Sequence, residues 1–99
     1  MDIGDVVEQH THSVELAKLK LIALGVNAEI ARHVCHHFGL GGYPPGSFLA
    51  HLIAAIAAAD PVNIAKLSLG YPGYTAAMVA VQNWPAGADA LVAISEGQN

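Results

Sequence analysis

Fixed positive charge is what this chain has least of. Lys18, Lys20, Arg32 and Lys66 are its only four cations, set against eight acidic residues, for a formal charge of −4. Only the first two lie close together. Nucleic-acid binding uses clustered Lys and Arg to neutralise phosphates, so nucleic acid is a disfavoured partner. A helix-turn-helix-like DNA-binding regulator is kept only as a second alternative, because short helices joined by tight turns belong to its class. Cysteine is nearly absent too. A single Cys35 excludes an intramolecular disulfide and suits a reducing compartment. The start, Met1-Asp2-Ile3-Gly4-Asp5, is acidic and has no basic n-region or apolar h-region, so no signal peptide is expected and a cytoplasmic location is. Long hydrophobic runs are missing. The longest, Phe48 to Ala59, is interrupted by His51 and bounded by Pro44-Pro45-Gly46 and Asp60-Pro61. A spanning helix needs about 20 apolar residues, which disfavours a membrane segment.

Catalytic patterns are absent as well. Val34 stands where a zinc protease HExxH motif needs its glutamate. Ser47 is not in a G-x-S-x-G elbow and is expected to cap a helix instead. Cys35 and its neighbouring histidines point in different directions on a helix, so a Cys–His pair would need a histidine from elsewhere in the fold. The acids are spread along the chain. Gly39, Gly41 and Gly42 follow a helix rather than a strand, which is no phosphate cradle. No enzymatic activity and no cofactor are expected.

What is present is alanine-rich apolar sequence. The hydrophobic share is 54%, above the roughly 45–50% of an average globular chain, and 99 residues suit one domain. Asp5 with Glu8 has capping-box character, and a first helix runs to about Leu24, with Val14, Leu21 and Leu24 on one side and Leu16 and Leu19 widening the face. Gly25 is a good residue to end it. Asn27 caps a second helix whose stripe is Ile30, Val34 and Phe38. Ser47 opens a third, with rows Phe48-Leu52-Ile56 and Leu49-Ile53. Its apolar character all round marks it as the central helix. Asp60-Pro61 restarts the chain into a short fourth helix with Ile64 and Leu67 facing in. Pro72 opens a fifth, in which Tyr74, Met78 and Val81 share a face, and Asn83-Trp84-Pro85 breaks it. Ala88 to Ser95 allows a last turn or two. No stretch alternates cleanly enough for a strand. The expected fold is therefore all-α: a compact orthogonal bundle of about four to five short helices with no sheet. It forms one domain over residues 1–99, with 1–12 a candidate flexible segment and 96–99 a frayed tail.

Six histidines stand out: His10, His12, His33, His36, His37 and His51. His33 and His37 are spaced i, i+4, so both can reach one metal ion, and His36 sits close to that face. These three are the candidate ligands for an alternative reading as a zinc-binding protein. The plainer account is that His36 and His37 occupy the last turn of a helix, where the carbonyl end of the dipole favours positive charge. His51 is expected to be buried or half-buried with a hydrogen-bond partner. Tyr43, Tyr71, Tyr74 and Trp84 lie in or beside loops and are the candidate interaction residues, because Tyr and Trp are over-represented at binding hot spots. The plainer account is again local: Tyr43 and Tyr71 pack on their neighbouring prolines and seal the bundle.

Three stretches carry a resemblance. They are Gly42-Tyr43-Pro44-Pro45-Gly46-Ser47-Phe48, Ala59-Asp60-Pro61-Val62-Asn63-Ile64-Ala65-Lys66-Leu67 and Leu69-Gly70-Tyr71-Pro72-Gly73-Tyr74. Together they resemble a family of small, functionally unassigned accessory proteins of actinobacteriophages. The resemblance spans about Gly42 to Asn83 and leaves the histidine-bearing first 40 residues unmatched. It implies a product made in the host cytoplasm, and many such proteins act by binding a host protein. It supplies no catalytic residue. The expectation is a non-enzymatic, phage-encoded interaction module with a host bacterial protein as partner. Self-association is consistent with the absence of fixed charge between Arg32 and Asp60 and between Lys66 and Asp89.

Overall fold

Turn chemistry sets the helix boundaries. A computed structural model describes residues 3–97, with side chains from residue 9 onward. Its helices are α1 (Ile3–Ala23), α2 (Ala28–His37), α3 (Ser47–Ala58), α4 (Pro61–Gly70), α5 (Pro72–Asn83) and α6 (Gly87–Ser95). Among the described residues there is no strand. The all-α class holds, with six helices in place of four to five. The Cα radius of gyration, 13.7 Å, is close to the roughly 13 Å of a compact 100-residue domain.

Asn27 caps α2 by accepting the Ile30 N–H at 2.9 Å, and Asp60 caps α4 by accepting the Asn63 N–H at 2.8 Å, with Pro61 in the first turn. α1 closes in a Schellman motif. The Val26 and Gly25 N–H groups donate to the Leu21 and Ile22 carbonyls, both at 3.0 Å. Gly25 takes φ 98° there, a left-handed value that a Cβ disfavours. Two expected starts are corrected. α1 begins at Ile3, so Asp5 lies inside its first turn rather than capping it; of the segment 1–12, residues 3–12 belong to the helix, while Met1 and Asp2 lie outside the described residues. Gly46, not Ser47, is the N-cap of α3, because its carbonyl already accepts the Ala50 N–H at 3.0 Å. Ser47 is therefore one residue inside the helix. In the expected tail, Glu96 and Gly97 form a turn, while Gln98 and Asn99 lie outside the described residues.

The core corrects the assignment of the central helix. α5 packs against every other helix, and α6 packs against α1, α2 and α5. Ala90, Leu91 and Ile94 of α6 are fully buried. The segment expected to make a last turn or two is thus a nine-residue helix at the centre. α3 is apolar all round, yet it packs mainly on α4 and α5 and buries only Leu52, Ile53 and Ile56. Its alanines face water, which is inexpensive for so small a side chain. Among the described side chains of α1, Ala17 and Leu21 are buried and Val14 is partly covered, whereas Leu16, Leu19 and, just past its end, Leu24 are 46%, 62% and 49% exposed. From residue 9 onward the apolar residues of α1 run round the helix, and the covered side is the one that meets α5 and α6. In α2, Ala31, His33, Val34 and Cys35 are buried, while Ile30 and Phe38 of the expected stripe are only partly so. Arg32 ties α2 to the end of α6, its Nε donating to the Ser95 carbonyl at 2.8 Å. That places a cation at the negative end of the helix dipole.

Thr75, on α5, is 2% exposed and its hydroxyl has no hydrogen-bond partner among the described residues. Leaving a buried hydroxyl unpaired costs about 1–3 kcal/mol. Thr75→Val keeps the shape and removes that cost, so its urea midpoint is expected to stay level or to rise by the equivalent of about 1 kcal/mol. A drop of that size would show that the hydroxyl is satisfied.

Candidate functional site

The sequence candidates fall into three separate places. The first is one side of α2. Helical spacing and the Tyr43–Gly46 loop bring His33, His36 and His37 to a common cavity of about 180 Å³, which Pro44, Pro45 and Ile53 also line. His33 is 5% exposed, and its Nδ1 shares a 2.8 Å hydrogen bond with the Tyr74 hydroxyl of α5. The Tyr74 ring stacks on it at 6.1 Å between centroids, and the Tyr43 ring meets it edge-on at 5.3 Å. Burial pushes the Tyr74 phenol up from its ordinary pKa, with the Glu29 carboxylate and then Tyr43 adding to the effect. His36 and His37 are exposed. Among the described residues, no group of three His, Cys, Asp or Glu side chains is arranged to hold a metal ion. The three histidines share a cavity without converging as a ligand set.

Cys35 is fully buried on the same helix. Desolvation pushes its thiol up, the Ser95 hydrogen bond pulls it part of the way back, and the Glu96 carboxylate adds a smaller upward push. A protonated, inaccessible thiol is a packing group rather than a nucleophile. His51, expected to be at least half-buried, is instead exposed, its Nδ1 donating to the Ser47 carbonyl at 2.7 Å. It lies on the outward side of α3, which the expected central position of that helix would have covered. His10 reaches Asp89 of α6, with its Nε2 donating to Oδ2 at 2.8 Å, and both side chains are exposed. His12 is exposed.

The second place is the outer face of α3 and α4. No residue of α4 is buried. Val62 is 64% exposed, Leu69 87% and Phe48 63%. Val62, Ala65, Lys66 and Leu69 follow the i, i+3, i+4, i+7 pattern of one helix face, and all four are exposed. The Tyr71 ring lies 6.0 Å from that of Phe48 and remains 38% exposed. Between the two helices runs a groove of about 470 Å³ lined by Ala55, Ala58, Ala59, Asn63, Lys66 and Leu67. Sequence reasoning found Tyr71 but placed Phe48 in a core row and did not single out Val62 or Leu69. Their seven-residue spacing was the available signal, although a stripe says nothing of whether it faces in or out.

Trp84 marks the third place, the turn between α5 and α6. It is half-buried, with the Lys20 ammonium 6.0 Å from the ring centroid. Tyr43, Tyr71, Tyr74 and Trp84 therefore do not form one surface. Tyr43 and Tyr74 enclose His33, Tyr71 joins Phe48, and Trp84 faces α1.

Comparison with protein-family models, with curated proteins and with solved structures found no significant match. Among the described residues no helix is long and apolar enough to cross a membrane.

Proposed function

We propose that this chain is a non-enzymatic helical module that binds another protein through the outer face of α3 and α4. The observations that carry the reading are the exposed Val62 and Leu69 on one face of α4, the exposed Phe48–Tyr71 pair, and the alanine-lined groove between α3 and α4. All four are large side chains left substantially in water, and large exposed apolar side chains that lie together mark interaction sites. The face carries little charge, as interface cores do. The partner in this reading is a host bacterial protein, following the resemblance of residues 42–83 to actinobacteriophage accessory proteins, or else a second copy of the chain. The non-enzymatic part rests on the buried thiol of Cys35 and on the enclosure of the His33–Tyr74 pair.

Val62→Asp with Leu69→Asp tests it. Both positions are exposed, so helix content and thermal midpoint are expected to stay close to those of the parent. Tagged parent protein is expected either to retain one dominant protein from actinobacterial lysate or to self-associate in sedimentation. The charged variant is expected to lose that association by tenfold or more. Retention by the variant at parental strength would sink the assignment of the face. A monomeric parent that retains nothing would sink the reading itself.

The metal reading has one observation on its side, the shared cavity of His33, His36 and His37. Zinc there would need its remaining ligands from outside this trio. Zinc at one equivalent per chain in untagged protein would favour this reading over the interaction module, and a content far below that would remove it.

A further inference from the structure

A cavity of about 350 Å³ opens between α1 and the α5–α6 turn, away from the residues of the α3–α4 face. Its origin is legible in the packing. Ala17 of α1 and Ala86 of the turn are its buried lining residues, 7% and 6% exposed, and two alanines leave space that larger side chains would fill. Leu16, Trp84 and Pro85 complete its apolar lining. Leu16 is 46% exposed, so an occupant would cover apolar surface that water now meets. The volume lies in the range of about 300–1,000 Å³ typical of small-molecule sites.

The polar groups fix the charge of the occupant. Lys20 lines the cavity, and among the described residues no carboxylate pairs with it. Ser13 is seven residues, or two helical turns, back along α1, and its hydroxyl already donates to the Gln9 carbonyl at 3.0 Å. The cavity thus offers one ammonium donor to an anion, beside an indole face and aliphatic walls. A cation would be repelled by Lys20. A phosphate would call for several converging donors. We infer that this cavity binds a small amphipathic carboxylate: one carboxylate against Lys20, and an apolar body between Leu16, Trp84 and the two alanines.

Trp84 is the only tryptophan, so its emission reports on the site directly. The test titrates the full chain with octanoate, octanol and octylammonium at constant ionic strength, below the concentrations at which they aggregate. Octanoate is expected to give a saturable change and to bind at least tenfold tighter than octanol, with octylammonium weaker still. Lys20→Met, at an exposed position, is expected to bring octanoate down to the affinity of octanol. Ala86→Leu, which fills the cavity, is expected to abolish binding of both wherever its thermal midpoint shows it folded. Amide chemical-shift mapping with the parent is expected to centre on residues 13–20 and 84–86. No saturable response, equal binding of the three ligands, or a carboxylate preference that survives Lys20→Met would each overturn the assignment. None of these outcomes depends on whether the α3–α4 face binds a protein.

Discussion

Gly87→Ala is expected to be strongly destabilising, lowering the thermal midpoint by roughly 15 °C or more. Gly87 opens α6 and is buried against α5. A Cβ at this position would lie 1.8 Å from the Ala80 carbonyl oxygen, 2.4 Å from its carbon and 3.1 Å from the Val81 nitrogen. Every one of these atoms is backbone, so no side chain can swing aside. α5 and α6 would have to part, and these are the two helices at the centre of the fold. Ala77, Ala80 and Ala90 are all fully buried around this approach. Small side chains let the helices meet closely. Overpacking a core costs about 1–3 kcal/mol and occasionally more. A clash that is all backbone belongs at the upper end, about 3 kcal/mol or above, against a total stability of about 5–15 kcal/mol. At about 4–8 °C per kcal/mol for a domain of this size, the thermal midpoint is expected to fall by roughly 15 °C or more. Gly70→Ala supplies the contrast. Gly70 is the last residue of α4, and a Cβ there meets nothing within 4 Å. The smaller entropy of the unfolded chain is expected to raise stability by about 0.4–1 kcal/mol. Circular dichroism melts of both variants check the pair. A Gly87→Ala midpoint within about 5 °C of the parent would show that the two helices can slide apart at little cost.

That close approach is one of several features that local sequence could not reveal. Asn27, Gly25 and Asp60-Pro61 were legible because each acts within three or four residues of itself, through a cap or a left-handed turn. The burial of α6 was not. Ala88 to Ser95 looks like a short apolar end, and only contacts with α1, α2 and α5 make it central. α3 misled in the opposite direction, since its uniform apolar character does not tell a buried helix from one that is largely exposed, as α3 is. At the histidine cavity, i, i+3 and i+4 spacing correctly brought His33, His36 and His37 to one place. The hydrogen bond between His33 and Tyr74 spans 41 residues, and nothing in either neighbourhood announces it. The seven-residue interval between Val62 and Leu69 was visible, but the direction of that face was not.

Gly42→Ala is expected to be the most damaging of three chemically identical changes in one loop. Gly39, Gly41 and Gly42 all have left-handed backbones, with φ of 71°, 102° and 73°. Replacing any of them by alanine incurs the same kind of backbone strain, about 1–2 kcal/mol. Their surroundings differ. A Cβ on Gly39 or Gly41 meets nothing within 4 Å, whereas on Gly42 it would lie 2.0 Å from the Arg32 carbonyl oxygen and 2.9 Å from its carbon. The loop would have to lift away from α2. Tyr43, the next residue, is packed against the His33 ring, and Pro44 and Pro45 wall the histidine cavity, so the disturbance reaches the candidate site. Gly39→Ala and Gly41→Ala are expected to cost about 1 kcal/mol each. Gly42→Ala is expected to cost about 3 kcal/mol or more, because overpacking adds to the strain. Urea unfolding of the three variants separates the terms, since the strain is common to all and only the contact is not. Carbethoxylation of His33 gives a local readout. The ring is 5% exposed in the parent and should become reactive in Gly42→Ala under conditions where that variant is still folded. Equal losses in all three variants, with His33 still protected, would mean that the loop yields without leaving α2. The histidine cavity would then be held by Pro44 and Pro45 rather than by the glycine that precedes Tyr43.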